Sequence, residues 1–368
     1  MKPLRIVFSE AATSYGGQEQ YIHKLMKGLR DQGHHLEAVC QPHALLTQKL
    51  QEDGFLVHTL HTDGPKNFMR GVWRLRKVLR TGRFDVLNTN SRRDTILVGL
   101  AARLAGVPLI VRSRHLAKKV GSLFSYTVVP HAVIACSEYV RNHLIDRGVK
   151  PGLVRVVYPS VPVENWPRGS TLRSELKLAE NDLVIACVAV MRAQKGHATL
   201  LQAVAPLIKS RPNLHLVLAG SGAMLDELVQ YVQQQGLEKR VHFLGMRSDI
   251  PNVLNGADLF AMATEIEATG TVYVEAQAAG LPVVGTRVGG VPEMMIEAET
   301  GVLVPPNDPA ALREALDQLL ADETRRRQMG EAGRRFVMRG DKFSLQAMVS
   351  GTEQAYRFWL GQRGREPS

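Results

Sequence analysis

The chain reads as an α/β protein of two domains, each a parallel sheet flanked by helices. Three observations predict this. Short apolar runs of strand type alternate with helical patterns, which calls for parallel strands joined by helical crossovers. At 368 residues the chain exceeds what one ordinary core accommodates. Residues 158–173 hold three prolines and a Gly-Ser pair without periodicity, as a linker does.

Residues 4–9 are the first strand. A small-residue loop, 11–17, follows and closes on Gly16 and Gly17, and a helix runs from there to about residue 30. Strand, glycine-rich loop and helix is a phosphate cradle, although the full G-x-G-x-x-G spacing is absent. The same two glycines also suit a plain tight turn. Further strand patterns fall at 36–40, 56–60, 85–89, 109–113, 132–136 and 154–158. Between them, residues 66–83 form an amphipathic helix. Phe68, Met69, Val72, Trp73, Leu75, Val78 and Leu79 make its apolar face, which is expected to cover the sheet. Lys66, Arg70, Arg74, Arg76, Lys77, Arg80 and Arg83 crowd the rest. Those charges are solvated or drawn to an acidic membrane surface, together with Arg92, Arg93, Lys118 and Lys119.

The strand at 109–113 turns polar at its end, where His115 stands. Ligands of α/β folds gather at the carboxyl ends of strands; a histidine there also serves as a simple strand-end cap. Asn90, Ser91 and Arg92 end the preceding strand. They line the same mouth or cap the next helix, Ser91 being the natural cap. Ser137 and Glu138 form a capped strand-to-helix junction.

The second domain opens with an almost continuous apolar strand, 183–190, of the buried parallel type. Arg192 and Lys195 stand at its end, before Gly196 and a helix. Cations at a helix N-terminus oppose the helix dipole, so a functional role is the better account of them. A guanidinium and an ammonium there suit an anionic group such as a phosphate. Strands follow at 214–219, ending in Gly220-Ser221-Gly222, and at 241–245, ending in Gly245 and Met246. Residues 309–320 and 323–338 are helical, and so is 343–360, with Tyr356, Phe358 and Trp359 as expected core anchors.

Residues 260–293 carry the most information. A strand, 260–264, ends in a carboxylate cluster with Glu265 and Glu267. Gly270 lets the backbone turn, Thr271 and Val272 open a helix, Glu275 lies on its second turn, and Leu281–Thr286 is the next strand. A helix N-terminus at the carboxyl end of a parallel sheet is a phosphate site. The chain here has Glu267-Ala268-Thr269-Gly270, Glu275, Ala279-Gly280-Leu281-Pro282-Val283-Val284 and Gly289-Gly290-Val291-Pro292-Glu293. This text resembles the nucleotide-sugar site of family 4 glycosyltransferases, retaining enzymes of the GT-B fold such as those of bacterial lipopolysaccharide and polysaccharide synthesis. The family's usual text is Glu-Gly-Phe-Gly, a helix with the second Glu, Ala-x-Gly-x-Pro-Val-Val and Gly-Gly-x-x-Glu. Weaker likeness extends over nearly the whole chain.

The resemblance implies two facing Rossmann-like domains: 1–165 on the acceptor side, 166–342 for the nucleotide sugar, and 343–368 as a helix packing back on the first. It implies metal-free transfer of a sugar from a nucleotide-diphosphate sugar, UDP-linked before GDP-linked, with no cofactor. Glu267 would meet the sugar and the anomeric charge. Glu275 would meet the ribose, and Arg192, Lys195 and the N–H groups of Thr271 and Val272 the diphosphate. Gly16 and Gly17 would admit the donor, His115 would face the transferred sugar, and Gly222, Met246 and Gly270 would shape the donor pocket. Asn90 and Arg92 would border the acceptor, which would approach past His115. Ala268-Thr269 in place of Gly-Phe alters the sugar pocket. Two alternatives remain at this point: a nucleotide-sugar epimerase of the same plan, and a non-catalytic nucleotide-sugar-binding subunit.

Composition bounds the rest. Residues 1–168 hold 25 Lys and Arg against 12 Asp and Glu, a net +13; the remaining 21 against 23 give −2, together the chain's +11. A basic first half suggests a lipid-carried or otherwise anionic glycan acceptor and attachment to the inner face of the cytoplasmic membrane. Nucleic acid is excluded for want of a recognition motif or an aromatic basic platform. The start is expected to carry no signal peptide, and no apolar run spans a bilayer. Cys40, Cys136 and Cys187 lack pairing or metal spacing and are expected to be reduced core thiols of a cytoplasmic protein.

Overall fold

The computed structural model describes residues 2–59, 65–118 and 120–364, and of residues 65–68 the backbone alone. The chain forms two units. Unit 1 comprises Met1–Ser160 and Leu345–Ser368, and unit 2 comprises Val161–Ser344.

Unit 1 holds strands β1 (Arg5–Glu10), β2 (His35–Cys40), β3 (Leu56–Thr59), β4 (Val86–Thr89), β5 (Leu109–Arg114), β6 (Ala132–Ala135) and β7 (Val154–Val156). They pair in parallel in the order β3-β2-β1-β4-β5-β6-β7. The order reverses between β1 and β4. Their outgoing loops therefore part to opposite faces and leave a crevice at their carboxyl ends. Helices cover both faces. On one, Ile22, Leu25, Met26 and Leu29 of helix Gly17–Asp31 join Met348, Val349, Tyr356, Trp359 and Leu360 of helix Leu345–Gln362. Those helices meet closely because residue 28 is glycine: a Cβ there would lie 2.4 Å from Val349 Cγ2. On the other face, Val72, Leu75 and Leu79 pack with Leu97, Val98, Ala101 and Ala102.

Two expectations about anchors need correction. Trp73 and Met69 are 58% and 56% exposed, not core; among the described residues of that helix Val72, Leu75 and Leu79 turn inward and Val78 is half-buried. Phe358 is 40% exposed and lies under the Arg155 guanidinium, whereas Tyr356 and Trp359 are buried. The Lys66 and Phe68 side chains, Leu60 and Lys119 lie outside the described residues.

Unit 2 holds β8 (Leu183–Val188), β9 (Leu214–Ala219), β10 (Val241–Gly245), β11 (Leu259–Met262), β12 (Val283–Thr286) and β13 (Gly301–Val304). All pair in parallel, in the order β10-β9-β8-β11-β12-β13. The reversal here lies between β8 and β11, so the loops after these two strands border the second crevice. β13 has no counterpart in the sequence reading. The three cysteines are buried and form no disulfide, and burial pushes the Cys40 and Cys187 thiols up to about 12. Among the described residues no helix is long and apolar enough to cross a membrane.

Candidate functional site

In unit 2 the loop after β8 is tied to the loop after β11. The Glu265 N–H and the Thr264 hydroxyl both donate to the Gln194 carbonyl, at 2.8 and 2.9 Å. Gly196 has φ +68, and a Cβ there would lie 1.8 Å from the Ala263 carbonyl oxygen. Only glycine meets both demands. The result sets Lys195 Nζ 2.5 Å from Glu267 Oε2, with the carboxylate side chain 13% exposed. Arg192, exposed at the start of the same loop, meets no carboxylate among the described residues.

The next loop closes over Glu267. The Gly290 N–H donates to the Glu267 carbonyl at 3.1 Å, and Gly289, at φ +55, sits where a Cβ would strike that oxygen at 1.8 Å. Gly270 adopts φ +79 as the cap of helix Thr271–Ala278. Thr271 and Val272 open the helix half-buried, and Glu275 is half-buried on its second turn. Tyr273, which the sequence reading passed over, is fully buried, donates to the Met262 carbonyl at 2.8 Å and packs under Gly270 and Gly285. It fastens the helix to β11. Around β9 and β10, Gly222 lies against the Met191 carbonyl, the Gly220 N–H donates to Gly245 O at 2.8 Å, and Met246 is 76% exposed. The expected unit 2 residues thus share the carboxyl edge of one sheet, and Lys195 and Glu267 are in direct contact.

In unit 1 a cleft of about 420 Å³ opens at the carboxyl ends of β1, β4 and β5. Asn90, Arg92 and His115 line it. Asn90 Nδ2 donates to Ser9 O at 3.1 Å, which turns Asn90 Oδ1 toward His115 Nε2, also 3.1 Å away. The His115 ring meets the Tyr21 ring edge-on at 4.6 Å. Burial, with Arg114 and Arg112 nearby, pushes its pKa down to about 3. His115 is therefore neutral at neutral pH, and its network assigns the proton to Nε2. Ser91 caps helix Arg92–Ala105 and Ser137 caps helix Glu138–Asp146.

Gly16 and Gly17 start helix Gly17–Asp31 on exposed backbone. Neither has positive φ, and a Cβ on Gly17 would meet nothing within 4 Å. The local fold therefore does not require glycine at 17. The Gly16 N–H donates to Glu19 at 2.7 Å.

Glu10, Arg112 and Arg114 are among the residues of this cleft that escaped the sequence reading. Glu10 ends β1, is 2% exposed, accepts from the Ala12 N–H at 2.8 Å and holds the Gln18 amide. Burial and the buried Asp94 carboxyl push it up to about 7. Arg112 and Arg114 lie on β5, against Ser125 and Tyr126. A charge inside an otherwise apolar strand was the available signal.

The description "Glycosyltransferase Family 4" matches residues 15–165, and "Glycosyl transferases group 1" matches residues 170–336. A D-inositol 3-phosphate glycosyltransferase of Corynebacterium diphtheriae is 33% identical over 219 residues, 56% of this chain and 51% of the relative. Over the first relatives it matches, the chain spans about half of their length. A UDP-Gal:alpha-D-GlcNAc-diphosphoundecaprenol alpha-1,3-galactosyltransferase of Escherichia coli is 26% identical over 78% of this chain and 80% of its own. The crystal structure of a Rickettsia africae glycosyltransferase superposes with a TM-score of 0.89 at 20% identity, covering 98% of this chain and 99% of that one. With both halves matched and both sheets of the expected kind, the chain belongs to the family 4 glycosyltransferases of the GT-B fold.

Proposed function

We propose that the chain is a retaining, metal-independent glycosyltransferase. It moves a sugar from a nucleotide-diphosphate sugar to a lipid-linked or polysaccharide-type acceptor. The observation that carries this reading is the joined pair of loops at the β8/β11 switch point, with Arg192, Lys195 and Glu267 on them. As the glycosidic bond breaks, the diphosphate gains negative charge and the anomeric carbon positive charge. Arg192, Lys195 and the helix-opening N–H groups of Thr271 and Val272 suit the first, and Glu267 suits the second. Glu275 accepts from the ribose. Lys195 neutralises Glu267; a diphosphate competes for the ammonium and frees the carboxylate for the sugar.

In unit 1, a loop that needs no glycine at 17 on its own account leaves its backbone open to a ligand. Neutral His115 is a hydrogen-bonding group for a sugar hydroxyl. A UDP-sugar is the preferred donor, in keeping with the name of the Escherichia coli relative. That name also supports a lipid-diphosphate acceptor. The exposed Trp73, Met69 and Leu104 among exposed Arg70, Arg74, Lys77 and Arg80 support attachment to the cytoplasmic membrane face. The epimerase and non-catalytic alternatives gain no support from the family matches.

The test is a thermal-shift panel of UDP-, GDP- and ADP-sugars on the purified chain. It is followed by transfer assays with the anomer of the product read by NMR. No stabilisation by any nucleotide sugar, or an inverted product, rejects the reading.

A further inference from the structure

The cleft of unit 1 is richer in guanidinium groups than a neutral sugar requires. Arg112 is only 4% exposed although it lines the cleft. Its Nη1 donates to the Ser125 carbonyl at 3.0 Å and to the Ser125 hydroxyl. Its guanidinium carbon stands 3.8 Å from the centre of the Tyr126 ring. Its Nε has no hydrogen-bond partner among the described residues. A buried cation with an idle donor bears a desolvation cost that an accepting ligand would relieve. Nε belongs to one edge of the planar fork that matches an oxyanion.

The neighbours fit the same purpose. Arg114, two residues on and on the same side of β5, donates to Leu116 O and Lys118 O and to the Tyr126 hydroxyl, at 2.6 Å in the last case. It fastens the cleft wall and adds its charge. Arg92 is exposed where helix Arg92–Ala105 begins, on the same cleft. Glu10 and Glu19 also line it. Glu10 belongs to β1, two strands from β5 in the sheet order, which is about 10 Å. Both carboxyls are engaged, Glu10 by Ala12 and Gln18 and Glu19 by Gly16.

We infer that this cleft seats a phosphate group borne by the acceptor, with Arg112 as its fixed fork and Arg92 closing on it from the mouth. The inference deepens the proposed function, since it takes unit 1 to be the acceptor's side, and adds the residues that would meet the acceptor's phosphate.

The test uses the full chain with Arg192→Gln and Lys195→Gln, which removes two unit 2 cations. Inorganic phosphate is titrated by calorimetry into this background, then into the same background carrying Arg112→Gln or Arg92→Gln. Saturable binding that weakens roughly tenfold or more, ~1.4 kcal/mol, with Arg112→Gln supports the site. If circular dichroism finds the Arg112 variant unfolded, exposed Arg92→Gln decides by the same loss. A short alkyl phosphate and a soluble sugar phosphate then identify the source. Tighter alkyl phosphate binding assigns a lipid-borne group, and tighter sugar phosphate binding a soluble one. Absence of saturable phosphate binding, or binding that both substitutions leave unchanged, overturns the inference. Wild-type stabilisation by a nucleotide sugar, measured alongside, reports on the transferase reading separately.

Discussion

Lys195 Nζ lies 2.5 Å from Glu267 Oε2, and the two residues are held there by loops that share the Gln194 carbonyl. Each side chain is the other's counter-ion. Lys195→Met leaves a mostly buried carboxylate without its partner, so it should cost about 1–3 kcal/mol of stability. Turnover should fall by roughly 10²–10³. Glu267→Gln should lower turnover comparably, and the double variant should fall short of the sum of the two stability losses. Chemical denaturation and kcat on the four proteins check this. Strict additivity would mean that the contact contributes nothing.

The glycines divide by the same geometry. Gly196→Ala and Gly289→Ala each combine positive φ with a Cβ 1.8 Å from a backbone oxygen. Each should cost at least about 1–3 kcal/mol, seen as a lowered Tm. Gly17→Ala meets open space at a helix start and should leave Tm unchanged or slightly raised. Any loss of turnover in that variant belongs to the ligand and not to the fold.

Two titrations in the unit 1 cleft should run in opposite directions. Glu10 rises from 4.5 unfolded to about 7 folded. The folded state therefore holds the extra proton, and stability is lost as pH climbs from 4.5 through 7. Measured as wild type minus Glu10→Gln, the slope should approach ~1.4 kcal/mol per pH unit in that window, shared with buried Asp94. His115 falls from 6.5 to about 3. Its contribution is complete above pH 6.5 and is lost as pH drops toward 3, read as wild type minus His115→Asn. Urea melts from pH 4 to 8 test both; parallel curves for wild type and either variant would contradict the burial argument.

The last helix can be dissected residue by residue. Asn88 Nδ2 donates to the Tyr356 hydroxyl at 2.6 Å, and the Ser113 hydroxyl donates to Asn88 Oδ1 at 3.0 Å, all buried. Tyr356→Phe strands the amide and should cost about 1–3 kcal/mol. Trp359→Ala empties core volume and should cost about 3–5 kcal/mol. Phe358→Ala, on the surface, should cost under about 1 kcal/mol. Denaturant melts of the three variants rank them.

Trp73→Glu and Arg74→Glu act on the exposed side of helix Pro65–Gly82. Both should leave Tm within a degree or two, about 0.5 kcal/mol. Both should weaken flotation with acidic liposomes at low salt, each cation being worth about 1 kcal/mol near such a surface. Flotation that is absent from the wild type would dispose of the membrane reading.

What the chain disclosed beforehand follows from the range of the forces involved. Strands of the two sheets and the order Glu267, Gly270, Thr271, Glu275 are local matters of periodicity and turn chemistry, and they stand in the text of residues 260–293. β13 escaped because Gly301–Val304 is four residues between a threonine and two prolines, too short to show a period. Trp73 and Met69 satisfied the helical period but face solvent, because a stripe can be wider than the surface available to cover it. Arg112 and Glu10 depend on partners that sequence spacing does not announce. Asp94 is 84 positions from Glu10, and the Ser125 that receives Arg112 is reached only after a strand end and a loop.

Helix Leu345–Gln362 completes the first unit, although 184 residues of the second are made before it: Val161–Ser344. On a ribosome the later-coded domain can therefore finish folding first. Meanwhile the earlier one waits with Ile22, Leu25 and Met26 uncovered until Tyr356 and Trp359 leave the exit tunnel. Truncation upstream of residue 345 would strand that apolar surface and invite aggregation of nascent chains.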